Sequence, residues 1–452
     1  MRRLLGTLVA LSLLLPASVA FASVPNAVAP SWVKSATVYE VNVRQYSANS
    51  KLTSVTKDMP RLKKLGVKVL WLMPIYPIGE VNRLGSLGSP YSIKDYKKVN
   101  PEFGNAADLK ALVKAAHAAG LHVILDWVAN HTAWDNAWIS SHPDWYTQVN
   151  GQIISPAGTG WNDVADLNYD NSAMRSAMIS SMKYWVTNFD VDGFRCDAAG
   201  MVPQDFWEQA TVELAKSKKL WMLAEDGSSM NLLENAFNAN YNWSLLGKLK
   251  TLASGFGSQS AIENLVANQS YMYPAGTYPL NFITNHDENS WNGTAHEFYG
   301  AAEDAMAVLT YTLPGVPLLY NGQEVGLNKR LQFFEKDPIN WKSYGAKGVA
   351  RNTFYTQLNS MKLNNSAIWA GSAGGSISTL DTDNTNVMAF IRTRGSDKVL
   401  TVINLTDSKQ TVNVSTPSGK MFKLGATKAT SIGSTLRLSI AASGYALYST
   451  KP

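Results

Sequence analysis

Cysteine is nearly absent from the 452 residues: Cys196 is the only one. No intramolecular disulfide can form, and a metal cluster built on thiolates is excluded with it. A lone thiol inside an apolar run reads as a small buried hydrophobe. Charge is sparse too, at 16% of residues, and nearly balanced, with a formal net charge of +6. Arg2 and Arg3 supply two of those charges, and no basic tract follows them, so nucleic acid is not an expected partner. Long apolar runs are missing beyond the start of the chain. "MRRLLGTLVALSLLLPASVAFA" joins two arginines to a short apolar stretch and ends on Ala20-Phe21-Ala22, an A-x-A cleavage pattern. Residues 1–22 therefore read as a secretory signal peptide, and a secreted or periplasmic location is expected. No cysteine follows that site to carry a lipid, and no later segment is apolar for long enough to cross a bilayer, so no membrane anchor is expected.

What the chain has is a hydrophobic share of 45%, suited to a well-packed globular protein, and a length that asks for one large domain and a smaller one. Eight short runs rich in β-branched and aromatic residues recur: 38–43, 67–74, 122–128, 191–197, 220–226, 237–243, 280–287 and 316–324. Helix-period segments such as "AADLKALVKAAHAAG", ending on the C-capping Gly120, lie between them. "PQDFWEQATVELAKSK" places Pro203 near a first helical turn, where proline is tolerated. Strands alternating with helices imply a parallel sheet, and eight units imply a closed (β/α)8 TIM barrel. An open doubly wound sheet is the rival, but no glycine-rich phosphate turn follows the first strand. Residues 132–168 break the alternation as an aromatic-rich insertion after strand 3. From residue 367 the pattern changes to period-two strands with "DTDNTN" and "RGSDK" turns, an antiparallel β-sandwich. The expected organisation is thus a barrel over 23–131 and 169–366, the insertion over 132–168, and a C-terminal domain over 367–452.

Barrel enzymes carry their chemistry at the C-terminal ends of the strands. Strand 3 ends with Asp126, Asn130 and His131, strand 4 with Arg195 and Asp197, strand 5 with Glu225 and Asp226, and strand 7 with His286 and Asp287. In "VDGFRCDAAG" Arg195 and Asp197 share a strand face, opposite Phe194 and Cys196. A guanidinium beside a carboxylate favours its ionised form, which would prepare a nucleophile or metal ligand and equally describes a structural ion pair. On strand 5, Trp221, Leu223 and Glu225 share one face, which makes Glu225 the inward group and Asp226 a structural one.

In order and spacing, "LDWVANH" (125–131), "GFRCD" (193–197), "LAED" (223–226) and "TNHD" (284–287) resemble the motifs of the α-amylase family of glycoside hydrolases, family 13. The flanking "VLWLMPI", "DLNYDN" and "GVPLLYNGQE" fit as well, and the resemblance runs from about residue 36 to the C-terminus. It implies that Asp197 is the nucleophile, Glu225 the acid/base and Asp287 a stabiliser of the transition state. It further implies that His131 and His286 bind sugar hydroxyls, that Tyr91 stacks on the same sugar, and that Asp126 supports Arg195. A retaining glycosidase needs one ionised carboxylate to attack and one protonated carboxyl to release the leaving sugar, so Glu225 should titrate at roughly 6–7. Trp134, Trp138, Trp145, Tyr146 and Trp161 of the insertion either stack on sugar rings or form its small core.

The pattern departs from the family at Gly200 and Met201, where relatives often have a basic residue and a histidine whose carbonyl can ligate calcium. Asn130 and Asp166 match oxygen ligands of that calcium site. Two oxygens do not make a site for an ion that takes 6–8, so bound calcium and hydrogen-bonded polar residues both stay open. No organic cofactor is implied. The resemblance leads to an endo-acting hydrolase of α-1,4 bonds in starch-type glucans and maltooligosaccharides, working as a monomer. A transglycosylase, or an exo-acting maltooligosaccharide or cyclodextrin hydrolase on the same scaffold, is the enzymatic alternative. A non-catalytic glucan-binding protein should have lost a carboxylate of the triad, and this chain keeps all three.

Overall fold

A computed structural model describes residues 28–452, and the expected signal peptide lies outside the described residues. Eight parallel strands close into a barrel: β1 (Val38–Val41), β2 (Val69–Leu72), β3 (His122–Val128), β4 (Gly193–Asp197), β5 (Trp221–Ala224), β6 (Ala239–Tyr241), β7 (Tyr278–Asn281) and β8 (Val316–Tyr320). They neighbour one another in chain order, and β8 returns to β1 with Val38 opposite Leu318. These strands are apolar on both faces because both are buried. Val38, Val69, Trp71, Ile124, Trp221 and Leu223 fill the interior, while Leu70, Val123, Phe194, Cys196 and Met222 face the surrounding helices. Cys196 is buried on that outer face, as its place in the strand implied.

All eight expected strands form, and one is displaced. Residues 280–287 read as a strand, whereas β7 covers Tyr278–Asn281 and the "TNHD" segment lies beyond its end. Its pairing with β8 stops at Asn281 opposite Pro317, a residue with no N–H to offer the ladder. The helices begin where side chains can cap them. Asn105 and Asp108 form a capping box on the helix Ala106–Ala119, which ends at Gly120 with φ +81°. Asn171 caps the helix Ser172–Phe189, and Pro203 stands just before the helix Gln204–Ala215.

Between β3 and β4 the insertion is tied down by antiparallel pairing of His131–Ala133 with Val164–Asp166. At the C-terminus a six-stranded antiparallel sheet and a two-stranded ribbon enclose a separate small core of residues such as Val387, Leu400, Val412 and Val414. The opposite face of that sheet packs on the barrel helices, so the domain is an antiparallel sandwich fused to the barrel. Among the described residues no helix is long and apolar enough to cross a membrane.

Candidate active site

The side chains at the C-terminal strand ends gather around one buried guanidinium. Arg195 Nη1 donates to Asp126 Oδ1 (2.8 Å) and Asp197 Oδ1 (2.9 Å), and Nη2 lies 2.6 Å from Glu225 Oε1. Its Nε donates to the Tyr241 hydroxyl at 3.1 Å. Three carboxylates thus share one cation, and the arginine itself is fully buried. Asp126 is equally buried and also accepts from Trp71 Nε1 and the Tyr91 hydroxyl, each at 3.1 Å.

This crowding sets the protonation states. Burial pushes Glu225 up to about 8, with Arg195 opposing and Asp197 and Asp287 adding to the rise. Burial also lifts Asp197, to about 6, against the pull of Arg195 and with a push from Asp126. The guanidinium acts on Asp197 in the expected direction, but one cation divided among three carboxylates does not outweigh their loss of water. Of the two, Asp197 is thus the more readily ionised and Glu225 the one that holds its proton to higher pH. Glu225 Oε2 also accepts from the Ala198 backbone N–H at 2.9 Å. Ala198 reaches that position with φ +43°, a strained turn for a residue with a Cβ.

The two histidines differ in charge. Burial lowers His131 to about 4, so it is neutral, and it hydrogen-bonds the backbone of Tyr91. Burial opposes a charge on His286 as well, but Asp287 and Glu40 outweigh it and raise the ring to about 9. Its Nδ1 lies 2.5 Å from Glu40 Oε1, and its Nε2 is 2.8 Å from the Tyr91 hydroxyl and 3.4 Å from Asp287 Oδ2. Tyr91 stacks on His286 with ring centres 5.5 Å apart. Asp287 is the most exposed acid of the triad and faces the cleft.

Asp197, Glu225, Asp287, Tyr91, His131, Arg195, His286 and Asp126 are therefore brought together, with Asp126 and Arg195 beneath the cleft floor. Asp226 points elsewhere and accepts from the backbone N–H groups of Ser228 and Ser229, ordering a turn. The insertion aromatics divide. Tyr146 and Trp145 are buried and Trp138 packs edge-on against Trp145 at 5.1 Å, whereas Trp161 is exposed and stands 5.4 Å from His131 in the cleft wall. Trp134 donates through Nε1 to the Asn162 carbonyl.

Sequence reasoning missed Glu40, Trp291, Phe333 and Phe334. Glu40 had a signal: alternation from Val38 aims it into the barrel, and a lone charge there needs a partner. The three aromatics sit in loops with no period to reveal them.

Asn130 and Asp166 sit at the base of the insertion, where Leu167 N–H donates to the Asn130 carbonyl. Burial raises the Asp166 carboxyl, with Thr147 pulling the other way. Asn130 and Asp166 offer one amide and one carboxylate toward the 6–8 oxygens calcium takes, so an ion there would need backbone carbonyls and water for the rest. A Cβ at position 200 would lie 2.1 Å from Asp226 Oδ2, so any side chain there would require that carboxylate to move.

A barrel whose mouth holds an ionised carboxylate beside a protonated carboxyl is built as a glycosidase. Residues 44–233 match the alpha amylase catalytic domain, and residues 377–447 match the maltogenic amylase C-terminal domain. The fold superimposes on the crystal structure of a noncanonic maltogenic alpha-amylase, AmyB, from Thermotoga neapolitana with a TM-score of 0.81 and 28% identity, covering 92% of this chain and 99% of that one. An alpha-amylase from Lactobacillus plantarum gives 0.81 and 29% with the same coverage. Alpha-amylase MalA of Haloarcula japonica is 25% identical over 407 residues, 86% of this chain and 58% of that protein. The chain belongs to the α-amylase family of glycoside hydrolases.

Proposed function

We propose that the protein is an exported, retaining hydrolase of α-1,4 bonds in starch-type glucans and maltooligosaccharides. The observation that carries this reading is the pairing on Arg195 of an ionised Asp197 with a protonated Glu225. Asp197 attacks the anomeric carbon while Glu225 passes its proton to the glycosidic oxygen, and the leaving sugar departs with that proton. A covalent glycosyl-enzyme remains. Glu225, now a carboxylate, takes a proton from water, whose oxygen displaces Asp197 and restores both groups. Asp287 and the charged His286 flank the reacting ring, and neutral His131 can donate to or accept from a sugar hydroxyl.

The N-terminal apolar run supports export. Asn130 and Asp166 are the side chains a structural calcium would use, and a fall in melting temperature on chelation would report one. Internal cleavage is what the family resemblance implies, but the walls of the cleft favour cleavage near a chain end.

Proton NMR of maltoheptaose digestion tests the reading, with Asp197→Asn as control. The expected result is products that first appear as α-anomers and are absent from the control. Products that first appear as β-anomers, or equal turnover by Asp197→Asn, would overturn it. Products longer than the substrate would move the assignment to transglycosylation.

A further inference from the structure

The direction in which a bound glucan runs can be read from the barrel. Glu225 stands at the end of β5, and in the closed ring β1 lies diametrically opposite, flanked by β2 and β8. The acid protonates the oxygen of the departing sugar, so that sugar lies on the β5 side. A 1,4-linked chain continues from carbon 4, across the ring from carbon 1. The sugars retained on Asp197 therefore extend toward β8, β1 and β2.

That side is walled. The loop after β2 contributes Leu84–Gly88 and the loop after β8 contributes Phe333–Glu335, and the two are stapled over the barrel rim. Ser86 N–H donates to Glu335 Oε1 at 2.7 Å, and the Ser86 hydroxyl donates to Oε2. Leu87 N–H donates to the Phe334 carbonyl at 3.1 Å. Beneath them the buried Arg44 reaches both loops, through Nη1 to the carbonyls of Gly88 (2.9 Å) and Phe333 (3.4 Å) and through Nη2 to that of Leu87 (3.2 Å). The loops approach so closely that a Cβ on Gly85, at φ +63°, would lie 2.5 Å from the Phe334 Cβ. Leu84, Phe333 and Phe334 turn the inner face of this strap into the cleft. No residue from the end of β6 lines the cleft among the described residues. Its volume of about 240 Å³ lies below the ~300–1,000 Å³ of pockets that swallow a drug-sized ligand.

We infer that the Ser86–Glu335 strap closes the glycone end of the cleft, so that the enzyme acts at the non-reducing ends of α-glucans and releases glucose or maltose. The inference rests on the hydrolase reading above. Glu335 is a positioning residue: it holds the wall and touches no reacting atom.

Maltoheptaose carrying a chromophore on its reducing end gives the test. With the native enzyme, the unlabelled products at early times are expected to be glucose or maltose alone, and the labelled chain to shorten by that same step. In Glu335→Ala the ratio of maltotriose and longer unlabelled products to maltose should rise about two- to fivefold, the size of a solvent-exposed charged contact. Glu335→Gln, which keeps an acceptor for the Ser86 N–H, should retain the native profile. Should Glu335→Ala fail to fold, Ser86→Ala removes only the hydroxyl and carries the same expectation. Early unlabelled products of scattered length from the native enzyme would overturn the strap while leaving the hydrolase intact. A native product profile in both Glu335→Ala and Ser86→Ala would do the same. No turnover by the native enzyme would overturn the hydrolase reading, and this inference with it.

Discussion

Arg195 looked from the sequence like one half of an ion pair, and in the fold its guanidinium is shared among three buried carboxylates. The consequence is two-sided. Asp197 at about 6 and Glu225 at about 8 set the limbs of a bell-shaped pH profile. The rate should rise as Asp197 ionises and fall as Glu225 loses its proton, with a maximum near neutrality. Glu225→Gln should lower kcat on maltoheptaose by about 10²–10⁴, the usual contribution of acid/base catalysis, and remove the alkaline limb. Both effects come from one pH series on each protein, and an unimpaired variant ends the assignment. The same crowding costs stability. A folded-state pKa raised above the unfolded value contributes stability below the unfolded pKa and loses it as pH rises through the folded one. For Glu225 that window runs from its ordinary value of 4.5 to about 8. Glu225→Gln should therefore melt above the native enzyme at pH 8 and together with it at pH 4. A variant less stable at pH 8 would mean that Arg195 stabilises the Glu225 charge more than burial opposes it. Arg195, Asp197 and Glu225 were legible because strand alternation assigns their faces. Glu40 was passed over for want of a visible partner, since His286 lies 246 residues away.

Elements were more legible than their ends. Each barrel strand announced itself as an apolar run bounded by turn residues, because a strand buried on both faces leaves that trace in composition. The end of β7 did not, since it is decided by Pro317 on the neighbouring strand. The strap was invisible for a similar reason: its two halves are 249 residues apart and neither has a period. The insertion lies between these cases. Five aromatics were plain in its sequence, but which ones face sugar depended on packing. Trp161 is exposed against His131 while Trp145 is buried against Trp138 and stacks on His142 at 4.0 Å. Truncating the two should separate binding from folding. Trp161→Ala is expected to raise KM about 3–10-fold at near-native Tm, matching the ~0.5–1.5 kcal/mol of one aromatic contact. Trp145→Ala should cost about 3–5 kcal/mol of stability, as buried tryptophans do. Steady-state kinetics and thermal melts on both proteins decide it. A stable Trp145→Ala with raised KM would exchange the two roles.

At the scale of the molecule, the two domains share one apolar core. The sequence shows where the pattern changes near residue 367, but not that the later strands complete the barrel's outer core. Met388, Phe390, Val399, Ile403 and Leu447 on one face of the C-terminal sheet belong to the same apolar cluster as Tyr355, Leu358 and Met361 of the helix Gly345–Asn364. Phe354 meets Tyr445 with ring centres 5.9 Å apart. The polar groups across the seam are matched as well. Arg392 Nη1 donates to the Thr312 carbonyl at 2.9 Å, Asn365 Nδ2 to Ser449 Oγ at 2.9 Å, and Ser366 Oγ to Asp397 Oδ2 at 2.7 Å. Re-exposing five such apolar side chains would cost about 8–15 kcal/mol at ~1.5–3 kcal/mol each, as much as the whole net stability of many proteins. Residues 28–366 expressed alone should thus be insoluble or molten, although they hold every catalytic group. Calorimetry of the full chain should show one transition whose van't Hoff and calorimetric enthalpies agree. Two resolved transitions, or a soluble and active 28–366 fragment, would show that the sheet is an appendage and that the barrel's outer core is complete without it.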